Sequence, residues 1–497
     1  MNSEKQGPLK NLFNPIGKSV MSSTENKKEL LKKLPKVDLL LKEPTIKPLL
    51  NRYPKKLIVQ EIRAFLKDLR ADIIGSKESA PVTDYDTILL KLAERAEYKL
   101  NNSLKRAVNG LGIILHTGLG RAPYAQDAQR ALMDVVAHYC TIQIDPQTGK
   151  RGDRYAHVEN LICTLSGAEA AMVVNNNAAA TLLVLNSLAQ GKEVIVSRGE
   201  LVEIGGSFRI PDVMERSGAK LVEVGTTNRT HLFFYIAAIT ENTGLILQVH
   251  MSNYTIVGFT KIVSLEELAE IAHTRGLPFF HDLGSGAFVD FERWGLPHEP
   301  TVAESIKAGA DVVCFSGDKL LGGPQCGIII GKKEVVDKMK KNQLTRALRC
   351  DKMTYAVLEA TLRLFMDERK LAHEHPVMRM LSEPLSSVKK RCMGLKRRIK
   401  TIVGDKVKLR VVEDVTEVGS GSMSSKDLPS WSLSVRSPDL SPDTLAKQLR
   451  MCNPPIFGRV HEDRYLINCR TIREDEVKFI LKGFEKVFGG KKGKAAQ

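Results

Sequence analysis

The stretch Ser316-Gly317-Asp318-Lys319-Leu320-Leu321-Gly322-Gly323-Pro324-Gln325-Cys326-Gly327 sets a lysine among glycines. Apolar runs flank it: Ala310 to Phe315 ahead, Ile328 to Ile330 behind. They predict two buried strands with the lysine held between them. Lysine rarely goes inside without a chemical reason. Shielded from water, its ammonium gives up a proton more easily and becomes a nucleophile or base. Ser316 stands three residues earlier, where its hydroxyl can share an anion site with nearby backbone N–H groups. The glycines let a flat ligand approach the backbone closely. This pattern points to a lysine that holds pyridoxal phosphate (PLP). The plainer alternative is a strand–turn–strand whose lysine faces solvent.

Two further stretches fit the same chemistry. Ala171 to Val174 reads as a strand, Asn175-Asn176-Asn177-Ala178-Ala179-Ala180-Thr181 as a turn, and Leu182 to Leu188 as the helix beyond. A helix N-terminus offers free N–H groups and the positive dipole end to a phosphate. Asn176, Asn177, Ala178 and Ser316 are therefore the candidate phosphate ligands. Asp282 ends the predicted strand Pro278 to His281 and is followed by Leu283-Gly284-Ser285-Gly286. A buried carboxylate there can pair with a protonated ring nitrogen. Each stretch also has a plain reading, an Asn N-cap in one and an Asp capping a turn in the other.

These residues need a frame. Glu193 to Val196, Lys220 to Val224, Gly244 to Val249 and Pro278 to His281 are strand candidates with helices between them. That βαβ alternation predicts an α/β core with a mostly parallel sheet of the seven-stranded type, sandwiched by helices. Ligands of such sheets sit at the carboxyl ends of the strands. The expected organisation is a mobile extension over 1–26 and a helical domain over 27–76. A linker helix over 77–107 and a core over 108–375 follow. A small α+β C-terminal domain over 376–489 and a basic tail over 490–497 complete the chain.

The formal net charge is +17. Such a balance suits a polyanionic partner, nucleic acid first. Glu25 to Ile74 carries thirteen Lys/Arg against seven Asp/Glu, and its best helix has a basic face of Lys55, Lys56, Arg63, Lys67 and Arg70. No run is apolar and long enough to span a bilayer, and the N-terminus has no secretory h-region. The eight cysteines form no CxxC and no Cys/His cluster of zinc spacing, so no metal and a cytoplasmic setting are expected.

Several motifs occur in one order: LHTGLGRAP, RGDRYAHVE, NNNAAATLL, SRGELVEIGGSFRIPDVM, VGTTNRTH, VHMSNYTIVGFT, HDLGSGAFVD and FSGDKLLGGPQCG. In these the chain resembles the bacterial selenocysteine synthases, the L-seryl-tRNA(Sec) selenium transferases, from roughly Glu29 to Phe488. The resemblance implies a fold-type-I PLP enzyme, with Lys319 carrying the cofactor and Asp282 pairing its ring nitrogen. It implies conversion of seryl-tRNA(Sec) to selenocysteinyl-tRNA(Sec) with selenophosphate, through loss of the seryl hydroxyl and selenium addition to a dehydroalanyl-tRNA. Arg121, Arg346 and Arg349 would form the selenophosphate pocket, for which guanidinium forks are suited. The N-terminal domain would bind the tRNA. A homo-oligomer is implied, a decamer built as a pentamer of dimers, with Thr226 and Thr227 at the dimer–dimer contact. Two departures stand out: Gly118 replaces the family's Asn before Leu119-Gly120-Arg121, and Phe233-Phe234 replaces a charged pair near that contact. The alternative function is a PLP-dependent lyase acting on a free amino acid or amino sugar.

Overall fold

The computed structural model describes residues 30–75, 84–205, 208–423 and 427–489. The expected extension and tail lie outside the described residues. The chain divides into two compact units, one ending at Arg106 and one beginning at Ala107.

In the first unit, helix α1 (Lys55–Gly75) follows Pro54, and helix α2 (Tyr85–Leu100) is capped by Asp84, whose carboxylate accepts from Thr87 N at 3.1 Å. Ile58, Ile62, Phe65 and Leu66 of α1 pack with Ile88, Leu89, Leu92 and Ala96 of α2 in one core. Arg95 of α2 reaches Asp68 at 2.8 Å and Glu61 at 3.4 Å. The helix assigned to a linker thus belongs to the N-terminal unit, because its apolar stripe has a partner there. Lys55, Lys56, Arg63, Lys67 and Arg70 are all exposed.

The second unit holds a seven-stranded sheet. Strand β1 (Ala170–Val174) leads straight into helix α3 (Asn177–Ala189). Then come β2 (Glu193–Ser197), β3 (Lys220–Val224), β4 (Thr243–Val249), β5 (Phe279–Gly284), β6 (Val312–Ser316) and β7 (Gly327–Gly331). The spatial order is β1-β7-β6-β5-β4-β2-β3. Only β7 runs against its neighbours, wedged between β1 and β6. Alternate residues feed two cores: Ala171, Val173 and Ile246 on one face, Ala170, Met172, Leu245 and Leu247 on the other. Sheets covered on both sides need such continuous apolar strands.

The segment after β7 forms two short helices, Lys333–Lys340 and α4 (Leu344–Leu348). The C-terminal region forms a sheet ordered β8 (Lys408–Thr416), β9 (Leu428–Arg436), β11 (Arg464–Asn468) and β10 (Arg459–His461), backed by the helices Leu385–Val403 and Val477–Phe488. Val108, expected to open the central core, is instead buried in this smaller one and pairs with Ile456. Among the described residues no helix is long and apolar enough to cross a membrane.

Candidate active site

The β6–β7 connection carries Lys319, and the two strands fix its base: Ser316 pairs with Gly327. The Lys319 residue is 7% exposed. Burial pushes its pKa down, Asp282 pushes back, and the nearby Arg121 adds to the depression. The neutral amine is therefore more accessible than in a surface lysine.

Asp282 lies at the carboxyl end of β5 and is 4% exposed. Its Oδ1 accepts from Asn177 Nδ2 and its Oδ2 from Thr181 Oγ1, both at 2.9 Å. Burial raises its pKa, while these donors and Lys319 oppose the rise. A Cβ built on Gly284 would sit 3.9 Å from Lys319 Nζ and 4.0 Å from Asp282 Oδ1, so amine and carboxylate flank the same glycine. The site is a depressed amine beside a buried acid whose two oxygens are held in place.

The turn before α3 behaves differently from a side-chain phosphate clamp. Asn176 caps the helix, accepting from Ala179 N at 2.8 Å. Asn177 serves Asp282. What remains for an anion is backbone: the N–H groups of Asn177 and Ala178 at the helix N-terminus, which no described residue accepts. Ser316 ends β6 and is 9% exposed. Gly327 must be glycine, since a Cβ there would collide with the Asn176 carbonyl.

Arg121 has a left-handed backbone (φ 58°). Its Nη1 donates to Asp318 Oδ2 at 2.6 Å and its Nε to Ser420 Oγ at 3.2 Å. It lines a cavity of about 150 Å³ with Thr117, Tyr124, Asp318 and Gln325. Arg346 and Arg349 are exposed and do not line that cavity. Arg346 is helical, whereas Arg349 is extended and bridges to Val174, so the pair does not share a helix face. Asn175 N donates to Leu348 O at 2.9 Å, which sets this segment beside the turn that opens α3. Thr226 and Thr227 lie on an exposed turn, where Thr226 Oγ1 donates to Arg229 O at 3.0 Å. Phe233 is 58% exposed, and its ring centroid lies 4.1 Å from that of Phe234.

Two kinds of residue escaped the sequence reading. Thr181 stands four residues after Asn177, one helical turn on, and that spacing was visible. Glu299, whose Oε1 lies 3.5 Å from His250 Nε2, gave no signal, because a buried glutamate in a loop looks like any other.

A family profile described as "L-seryl-tRNA selenium transferase" matches residues 107–473, and one described as "Selenocysteine synthase N terminal" matches residues 31–70. The L-seryl-tRNA(Sec) selenium transferase of Carboxydothermus hydrogenoformans is 48% identical over 92% of this chain and 98% of its own length. That of Clostridium botulinum strain Okra is 46% identical over 93% and 99%. Among solved structures, D-glucosaminate-6-phosphate ammonia-lyase aligns with a TM-score of 0.54 at 19% identity, covering 79% of this chain and 98% of that one. This last likeness concerns the fold.

Proposed function

The chain belongs to the L-seryl-tRNA selenium transferase family, and from that premise we propose that it converts seryl-tRNA(Sec) to selenocysteinyl-tRNA(Sec) with selenophosphate as the selenium donor. The observation that carries the chemistry is the depressed, buried Lys319 amine beside the buried Asp282.

The site fits PLP. Asn177 Oδ1 and Ser285 Oγ are buried without hydrogen-bond partners, and two backbone N–H groups at the start of α3 await an acceptor. Lys319 would hold the cofactor, Asp282 would pair with its ring nitrogen, and Asn177 N, Ala178 N and Ser316 would take its phosphate. Asn176 acts as the cap that orients those N–H groups. When bound, the cofactor withdraws electrons from the substrate Cα and so acidifies its hydrogen.

The protein's own residues do the rest. Lys319 would take the Cα proton at Nζ, for which its lowered pKa prepares it. Asn177 and Thr181 keep Asp282 from turning away. Arg121 offers its guanidinium to the selenophosphate, which must compete with Asp318 for it. Arg346 and Arg349, beside the turn before α3, supply further positive charge.

The exposed basic face of α1 suits the phosphate backbone of tRNA, and on that charge we assign tRNA binding to the N-terminal unit. A free amino acid or amino sugar would need no such module. We assign the protein to the cytoplasm. We read the assembly as a decamer, a pentamer of dimers, with Thr226 and Thr227 at the contact between dimers and exposed Phe233 making it more apolar. The test is incubation with seryl-tRNA(Sec) and selenophosphate. Selenocysteine on the tRNA is the expected product, and turnover of free serine with none on tRNA would point to the lyase.

A further inference from the structure

Eliminating the seryl hydroxyl needs two proton movements. Cα must lose one, and the oxygen must gain one, since hydroxide, the conjugate base of an acid of pKa about 15.7, leaves poorly. Lys319 accounts for the first. Resting on the reading above, we propose that His250 supplies the second, with Glu299 as its positioning residue.

His250 follows β4 directly, and its backbone N–H donates to the Asp282 carbonyl at 2.9 Å. The base of the ring is thereby fixed beside the site. Its Nε2 is 3.5 Å from Glu299 Oε1. The Glu299 side chain is only 6% exposed, and Oε1 has no hydrogen-bond partner. Burying a carboxylate without donors is costly unless a cation faces it. Two basic side chains are at hand: the His250 imidazole at 3.5 Å and the Lys319 amine, on which Glu299 acts electrostatically. The bridge between Ala287 and Thr301 folds the Glu299 loop back against the end of β5. The His250 side chain is 24% exposed, and Nδ1 has no hydrogen bond among the described residues. A carboxylate behind the ring is the arrangement that fixes an imidazole's orientation.

Neighbouring acids are less suited. Asp318 is committed to Arg121 at 2.6 Å. His281 is buried, bonded through Nδ1 to Ser305 Oγ at 3.0 Å, and its pKa is lowered to about 3.

The step balances. The Cα–H bond breaks and its proton goes to Lys319 Nζ. The electron pair left behind forms the Cα=Cβ bond as Cβ–O breaks. The oxygen departs with the Cβ–O pair, takes the imidazolium proton and leaves as water. Lys319 ends protonated and His250 neutral.

The experiment uses the holoenzyme and its H250Q and E299Q variants. Each receives seryl-tRNA(Sec) in D2O and, in parallel, β-chloroalanyl-tRNA(Sec), whose chloride leaves without a proton. H250Q should eliminate from the seryl substrate about 100-fold more slowly, with KM and gel-shift affinity for the tRNA unchanged. It should still exchange the Cα hydrogen for deuterium and should process the chloro substrate at the parent rate. E299Q should show the same pattern with a smaller loss, and parent-rate turnover of the chloro substrate certifies that the core of each variant is folded. Equal loss on both substrates, loss of exchange together with elimination, or unimpaired seryl turnover overturns the proposal. A parent enzyme that exchanges no Cα hydrogen overturns the reading of Lys319 instead.

Discussion

Burial pulls Lys319 and Asp282 in opposite directions, the amine's pKa down and the carboxyl's up. Reductive trapping with borohydride should label the peptide that contains Lys319, and K319A should carry no label; a label elsewhere removes the basis of the proposed chemistry. Glu200 offers a separate test. It is 3% exposed, and burial raises its pKa from 4.5 to about 8, against the bond it accepts from Val249 N at 3.1 Å. A carboxyl whose folded pKa is raised favours the fold when protonated. That stabilisation is full below pH 4.5 and is lost as the pH climbs through 8. It amounts to at most about 5 kcal/mol. Urea midpoints of the parent should therefore fall between pH 5 and 8.5, and those of E200Q should stay flatter; parallel curves would refute this. At this scale the sequence was informative where residue type and spacing were both unusual. Lys319 stood among glycines, and Asp282 ended an apolar strand. Buried Glu200 and Glu299 were hidden, since their burial depends on loops folding back from far along the chain.

The strand–turn–helix of β1 and α3 does three jobs with one turn: Asn176 caps, Asn177 steadies Asp282, and the first N–H groups stay free for an anion. Its position depends on β7, where Gly327 abuts the Asn176 carbonyl. G327A should therefore displace the start of α3 and weaken cofactor binding at least tenfold, read by dialysis against PLP. Retained affinity would show that the turn yields without consequence. The inner sheet strands were legible because both of their faces are apolar, unlike the edge strand β3, where Lys220 and Glu223 are exposed. The segment after β7 breaks into two helices for a local reason. Asn342 turns its side chain to Leu344 N at 2.9 Å and to Asn186 and Ser187 at 2.8 and 2.9 Å. Those bonds compete with helix continuation, and the break lets Arg349 run alongside Val174.

For the whole molecule, the boundary at Arg106 decides how the N-terminal unit can be removed. Cutting after Gly75 strips α2 of its partner and bares Ile88, Leu89 and Leu92, so that product should aggregate. Cutting after Arg106 removes the unit intact. The remainder should keep its PLP absorbance and lose at least tenfold in tRNA affinity by gel shift; undiminished affinity would locate RNA binding elsewhere. Net charge pointed to nucleic acid but could not mark where this unit ends, because that depends on which helices share a core. The hairpin bearing Lys319 has a wider implication. Both its strands are pinned in register, β6 between β5 and β7, β7 between β6 and β1. If Lys319 is the proposed nucleophile, a side chain so bolted down leaves the reaching to the RNA, and an acceptor arm of another length should present the serine at another depth.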